Sequence, residues 1–315
     1  MKSQKMLSRI HHAGIQVANL DEAFARWSRL LGLHGEKLSS THAVLRCTHE
    51  DFCLSLRESN GRPFYDYACY ELAAGLKLNE VRAVLQDRGA AVEDFEVPLR
   101  GKALKLADPE GNSVVLIQRV PPADRRPSEL QYSERIPGWH PRKLGHVNLL
   151  TADIKRQAEW YTRVLDFAIT DWIGADEGVW LHVNRDHHSL AFVNKGFAHI
   201  HHLAFELVDW SEMRVALDHL AQNKRHIVWG PGRHGMARNL FSYFRMPEEE
   251  MFIELFCDLE QLADDHEVRR YPDDPHSSNT WGALPPRTYF RFDQAAIDAE
   301  LSQAYAYGQS TPVVA

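Results

Sequence analysis

From Lys143 the chain alternates apolar and polar positions through KLGHVNLLTA, then changes to a helical period in IKRQAEWYTRVLDF. Asp153 ahead of that run is a helix-start residue, and Trp160, Tyr161, Val164 and Leu165 recur on its apolar face. Three alternating runs follow, FAITDWI, GVWLHVN and HSLAFVN, which read as strands. The order then starts again. HIHHLAFELV reads as a strand, SEMRVALDHLAQN as a helix, and segments near 226–229, 239–245 and 251–257 as strands. The first half of the chain has the same grammar. RIHHAGIQVANLDEAFARWSRLLGL, from Arg9, aligns with KLGHVNLLTADIKRQAEWYTRVLDF, setting His12 against His146 and Asp21 against Asp153. LKLNEVRAVLQDRG supplies the second helix there, with strands around 94–98, 103–107 and 113–119. The ends of the halves also match, ADPEGNSVVLIQ at 107–118 against RMPEEEMFIELF at 245–256.

An internal repeat of this kind predicts two tandem modules, each built of two βαβββ units. The fold class is α+β. Each curved mixed sheet must bury one face, and two units curling together would enclose a funnel. The expected division is an N-terminal module at 1–120, a linker at 121–142, a C-terminal module at 143–260 and a tail at 261–315. The linker is rich in Pro and charge (VPPADRRPSELQYSERIPGWHPR). The tail is dense in Pro and aromatics, and its last residues, YGQSTPVVA, read as disordered.

Composition narrows the function classes. The 315 residues carry a formal charge of −7, with no basic run interleaved with aromatics, so nucleic acid is not an expected partner. No apolar stretch reaches membrane-spanning length, and MKSQKMLSRIHH lacks the apolar core of a signal peptide. The four cysteines show no CxxC spacing, which fits a reducing cytoplasm and argues against a disulfide framework or thiolate metal site.

Histidine is the unusual residue, with 18 copies. His146 falls in the first strand of the C-terminal module, His202 in the strand opening its second unit, and Glu254 in its last strand. Pseudo-symmetry puts these strands in equivalent positions, so the two histidines share one cavity. A carboxylate buried in an apolar strand is costly unless a charge answers it. A divalent cation would answer it, and two histidines with one carboxylate is the ligand set of non-haem Fe(II) sites. The N-terminal module keeps His12, but Val115 or Leu116 stands where Glu254 does, so it reads as metal-free. His187, His199 and His201 read as hydrogen-bonded core residues. The string GPGRHG at 230–235 is a stiff, bent segment that presents an Arg-His pair.

LGHVNL, WLHVNRDHHSLAF, HIHHLAFEL, GPGRHGMARNLFSYF and IELF together resemble the type I extradiol ring-cleaving dioxygenases of the vicinal oxygen chelate superfamily. The nearest group is that of homoprotocatechuate 2,3-dioxygenase and catechol 2,3-dioxygenase, and the likeness spans residues 9–257. It implies the vicinal oxygen chelate fold and an Fe(II) site, with Mn(II) as the alternative. The family's ligands fall on His146, His202 and Glu254. The motif His-apolar-x-apolar matches His202-Leu-Ala-Phe, His201 being the other register. The resemblance also implies an acid/base role for His188, substrate orientation by His234 and Tyr243, catechol and O2 as reactants in aromatic catabolism, and a homotetramer.

Two departures stand out. Homoprotocatechuate-cleaving members have an Arg where this chain has Trp229, and an indole cannot neutralise a carboxylate. Trp229 and Trp180 would suit an apolar or aromatic substituent, with Arg238 and Arg287 the alternative charge partners. RMPEEEMF replaces the family's Asp-Pro-x-Gly-Asn turn and reads as a solvated hairpin. In the tail, Trp281 is the candidate lid residue over the pocket. A glyoxalase-like isomerase or lyase would want a second carboxylate ligand in place of one His. A non-catalytic aromatic-ligand-binding module would tolerate loss of Glu254. Neither gives His188, His234 and Tyr243 a joint role.

Overall fold

The computed structural model describes residues 5–47, 51–120, 139–293, 297–299 and 302. Most of the expected linker, 121–138, and the terminal YGQSTPVVA lie outside the described residues. The first sheet runs β1 (Leu7–Val17), β2 (His34–Lys37), β3 (His42–Arg46), β4 (Leu54–Glu58), β5 (Phe64–Leu72), β6 (Glu93–Val97), β7 (Gly101–Ala107) and β8 (Ser113–Ile117). Helices α1 (Leu20–Leu31) and α2 (Leu78–Asp87) follow the first strand of each unit. The second module repeats this with β9 (Lys143–Thr151), α3 (Ile154–Leu165), β10 (Ala168–Ile173), β11 (Gly178–His182) and β12 (Leu190–Asn194). Its second unit is β13 (His199–Glu206), α4 (Trp210–Gln222), β14 (Ile227–Arg233), β15 (Leu240–Met246) and β16 (Met251–Cys257).

The strand orders are β2-β3-β4-β1-β5-β8-β7-β6 and β14-β15-β16-β13-β9-β12-β11-β10-β17. In both sheets the two opening strands pair antiparallel at the centre, and each also pairs parallel with the closing strand of its own unit. That is why motif residues on opening and closing strands end up side by side. The strand β17 (Arg269–Tyr271) comes from the tail and joins the sheet edge parallel to β10. Nothing in the strand periodicity announced it. A short helix, α5 (Pro275–Ser278), follows.

The helices begin and end where local chemistry dictates. Asn19 and Asp153 cap α1 and α3 by accepting from backbone N–H groups three residues on, and Asp209 caps α4 in the same way. Left-handed Gly32 and Asp166 end α1 and α3.

One apolar core runs through both modules. Trp27 of α1 is fully buried with its ring 6.5 Å from that of Phe205 on β13, and the Tyr161 hydroxyl of α3 donates to Asp108 at 3.3 Å. The RMPEEEMF segment departs from the expected solvated hairpin. Its Glu249 is buried and ion-paired with Arg26 of α1, because the turn is pressed against the other module. Among the described residues no helix is long and apolar enough to cross a membrane.

Candidate metal centre

His146, His202 and Glu254 stand on β9, β13 and β16, three neighbouring strands. Ala204 is the residue they share: it lies opposite His146 on one side and Glu254 on the other, and His202 is two residues away on the same face. The small side chain of Ala204 leaves room for the three groups to converge. Glu254 Oε2 lies 3.0 Å from His146 Nε2 and 3.1 Å from His202 Nε2, and the two ring nitrogens are 3.2 Å apart. In the first module the same register reads His12, Cys69 and Val115, with Tyr67 in the place of His202. Val115, rather than Leu116, is therefore the counterpart of Glu254. His12 Nε2 meets the Tyr67 hydroxyl at 3.1 Å, a neutral pair with no carboxylate.

Proton positions follow from the hydrogen bonds. Burial and the neighbouring His202 hold His201 well below the usual imidazole value, so it is neutral. Its Nε2 lies 2.9 Å from the Tyr289 carbonyl, which can only accept, so Nε2 carries the hydrogen. His201 Nδ1 then accepts from His202 Nδ1 at 2.7 Å, which leaves His202 Nε2 with its lone pair. An imidazole lone pair and a carboxylate oxygen thus face each other across 3.1 Å, with a second imidazole beside them. Electron-rich atoms converge so closely around a shared hydrogen or a cation, and the donor set fits a divalent metal ion. The geometry also separates His202 from His201, whose ring turns away and stacks on Phe252.

Burial works to raise the Glu254 carboxyl, but His146 and His202 overcome it and hold the group well below the usual carboxylate range. Burial lowers both histidines, against the pull of Glu254. The free oxygen of Glu254 accepts from Asn239 Nδ2 at 2.9 Å. Asn239 escaped the sequence reading, since a polar residue heading a strand carries no periodic signal. Its place follows from positive φ at Ala237 and Arg238, which make the tight turn before β15.

GPGR is itself strand, paired with β15 through an irregular register between Trp229 and Gly232, and the sharp reversal comes after it. Gly230 has φ +105°, and a Cβ on Gly232 would lie 2.6 Å from the Phe241 ring and 2.7 Å from the Asn279 amide. This tight seating holds His234 in place. His234 Nδ1 donates to the Ser278 carbonyl at 2.6 Å, so Nε2 accepts from the Tyr243 hydroxyl at 3.0 Å. Burial, then the Glu254 charge, raises the Tyr243 hydroxyl well above its ordinary value, which keeps it neutral.

A cavity of about 260 Å³ opens on the three converging groups and is also lined by His188, His234 and Tyr243. His188 sits in the loop before β12, its ring 4.1 Å from that of His146. Trp180 and Trp229 form part of the wall. Trp229 stacks on Tyr243 and donates Nε1 to the Ala283 carbonyl at 2.7 Å. Neither Arg238 nor Arg287 lines the cavity. Trp281 does not line it either: the residue is 58% exposed. The buried Asn279 side chain bonds Gly282 N and the Ala283 carbonyl, which throws residue 281 outward. The tail covers the cavity instead with Pro285, Tyr289 and Phe290.

Residues 143–250 match the Glyoxalase/Bleomycin resistance protein/Dioxygenase superfamily. The match falls within the second module. Among curated members, metapyrocatechase of Pseudomonas sp. (strain CF600) is 26% identical over 285 residues, 84% of this chain and 90% of the relative. Two solved structures superpose closely. The Mn(II)-bound glyoxalase from Novosphingobium aromaticivorans does so at TM-score 0.79 and 23% identity, over 90% of this chain and 94% of the other. Homoprotocatechuate 2,3-dioxygenase from Brevibacterium fuscum, in anaerobic complex with 3,4-dihydroxyphenylacetate, does so at 0.79 and 21%, over 91% and 92%. These superpositions show the fold, and its two sheets, each built from a pair of βαβββ units, are the architecture expected from the repeat and consistent with the vicinal oxygen chelate fold that the resemblance implied.

Proposed function

We propose that the protein is an Fe(II)-dependent extradiol dioxygenase. It inserts both atoms of O2 into a substituted catechol and opens the ring beside the diol, giving a muconate-semialdehyde-type product. The observation that carries this reading is the convergence of two imidazoles and a carboxylate in a cavity that also presents His188, His234 and Tyr243. Likeness to a metapyrocatechase over most of both chains supports it. His146, His202 and Glu254 would hold the metal, and Mn(II) suits the same donors. A bound ion would supply the Lewis-acid and redox chemistry that a reaction between a catechol and O2 requires.

The chain's own groups do the rest. The Tyr243 hydroxyl and His234 form a wire ending on the Ser278 carbonyl, which would hold the hydroxyl ready to bond a catechol oxygen. His188 offers a ring nitrogen to the cavity and would accept the substrate's hydroxyl proton. Trp229 supplies an aromatic wall, so an apolar or aryl substituent is the preferred ring decoration. The glyoxalase-like reading is weaker because Glu254 is the sole carboxylate in the metal-binding group found among the described residues. The module at 1–120 is read as structural support for the one at 143–260. A cytoplasmic homotetramer is the proposed form of the enzyme, which sedimentation would check.

The test is anaerobic Fe(II) loading followed by unsubstituted, alkyl, aryl and carboxylated catechols in air. Yellow ring-fission product that disappears in Glu254→Ala is the expected result. Tight metal binding with no colour from any catechol would move the assignment to the isomerase or lyase class.

A further inference from the structure

Three adjacent histidine pairs recur in this chain: His11–His12, His187–His188 and His201–His202. In each pair the rings meet Nδ1 to Nδ1, at 2.7, 3.1 and 2.7 Å. The first ring of each pair is tied through its other nitrogen to an acceptor: Asp51 at 2.7 Å, Asp171 at 2.7 Å and the Tyr289 carbonyl at 2.9 Å. An acceptor there places hydrogen on the outer Nε2, which in a neutral ring leaves its Nδ1 as acceptor. The inner Nδ1 must donate, and the inner Nε2 keeps its lone pair. At His202 that lone pair faces Glu254. At His188 the bond through Nδ1 is the ring's one hydrogen bond to the described residues, and the ring lines the cavity.

The far end of the His187–His188 chain is held firmly. Asp171 on β10 is fully buried and receives the Arg269 guanidinium in bidentate fashion at 2.8 and 3.0 Å. Arg269 stands opposite it on β17 and is itself clamped by Glu260 at 2.9 and 2.7 Å. A carboxylate bonded by a guanidinium remains an acceptor toward His187, so the direction of every bond in the chain is set from the tail.

We propose that Asp171 and His187 are positioning residues for His188. They keep its ring hydrogen on Nδ1 and turn the Nε2 lone pair into the cavity as acceptor for the substrate's hydroxyl proton. The substrate part of this rests on the dioxygenase reading; the hydrogen placement does not.

Asparagine at 171 would keep its oxygen toward Arg269 and offer its NH2 to His187, reversing every donor up to His188. Asp171→Asn and His187→Phe are therefore expected to lose on the order of 100-fold in kcat, with KM and Fe(II) content unchanged. His187→Gln keeps an acceptor and a donor in the original order and should recover kcat to within about tenfold of wild type. Asp171→Asn should cost nothing further in a His188→Phe background, since both changes break one pathway. A readout independent of activity is the long-range 1H–15N histidine spectrum of the labelled, Zn(II)-loaded chain, with His188 signals identified by their loss in His188→Phe. The Nδ1–H form in wild type and the Nε2–H form in Asp171→Asn are expected. An Nε2–H form in wild type would overturn the proposal, as would full kcat in His187→Phe or multiplying losses in the double variant. If Asp171→Asn does not fold, the contrast between His187→Gln and His187→Phe decides. If wild type cleaves no catechol, the dioxygenase reading falls, and the spectrum still decides the relay.

Discussion

Glu254 shows how a single residue is made fit for a site. One oxygen faces two imidazoles and the other takes a hydrogen bond from Asn239, so the carboxylate plane is fixed before any metal arrives. Losing such an orienting partner typically costs 10- to 100-fold in metal affinity. Asn239→Ala is expected to weaken Fe(II) or Mn(II) binding by about that factor, measured by anaerobic calorimetric titration, while thermal stability without added metal changes little. His182 makes a different residue-scale point. Burial, then the charges of Lys5, His266 and His187, push it down to about 4. An unfolded histidine titrates near 6.5, so between about pH 6.5 and 4 the unfolded chain takes up a proton that the folded chain refuses. Its contribution to stability is whole above pH 6.5 and falls as the pH drops toward 4. His182→Gln does not titrate, so between pH 7 and 4.5 it should lose less stability than wild type, by on the order of 1 kcal/mol after screening. Urea midpoints at the two pH values check this.

Elements were legible in the sequence wherever their signal is local. Period-two runs predicted strands at 144–152 and 251–257, which became β9 and β16, and the helical run after Asp153 became α3, because alternation and capping act over a few residues. The repeat made the order of elements readable, and with it the idea that His146, His202 and Glu254 could meet. What was not legible depends on partners far along the chain. Three residues at Arg269–Tyr271 are too few to show a period, and they become strand only because β10 offers an edge and Asp171 a charge. His187 and His201 looked like ordinary core histidines for the same reason. Their significance lies in Asp171 and in a tail carbonyl 88 residues away. Trp281 misled because aromatic character says nothing about direction, whereas the Asn279 bridges set it.

At the scale of the whole molecule the two modules are unequal in chemistry yet inseparable in packing. The first keeps the histidine and loses the carboxylate, so a separate duty has to account for its persistence. The contacts supply one. Trp27 is buried against the second sheet, Arg26 answers the buried Glu249 beside β16, and Glu110 accepts the backbone N–H groups of Ala152 and Asp153 ahead of α3, at 2.8 and 3.2 Å. These contacts brace the ends of β9 and β16, the strands that carry His146 and Glu254. Removing one member of a buried ion pair costs about 3–5 kcal/mol, and truncating a buried Trp costs a similar amount. Arg26→Ala and Trp27→Ala lie in the first module but should lower the melting temperature of the second, which carries the candidate metal centre, equally. Calorimetry of the intact chain should show one transition in wild type and in both variants, with loss of metal in the same step. Two resolved transitions, with the metal-bearing one unmoved by Trp27→Ala, would mean that the modules fold separately and that the bracing counts for nothing.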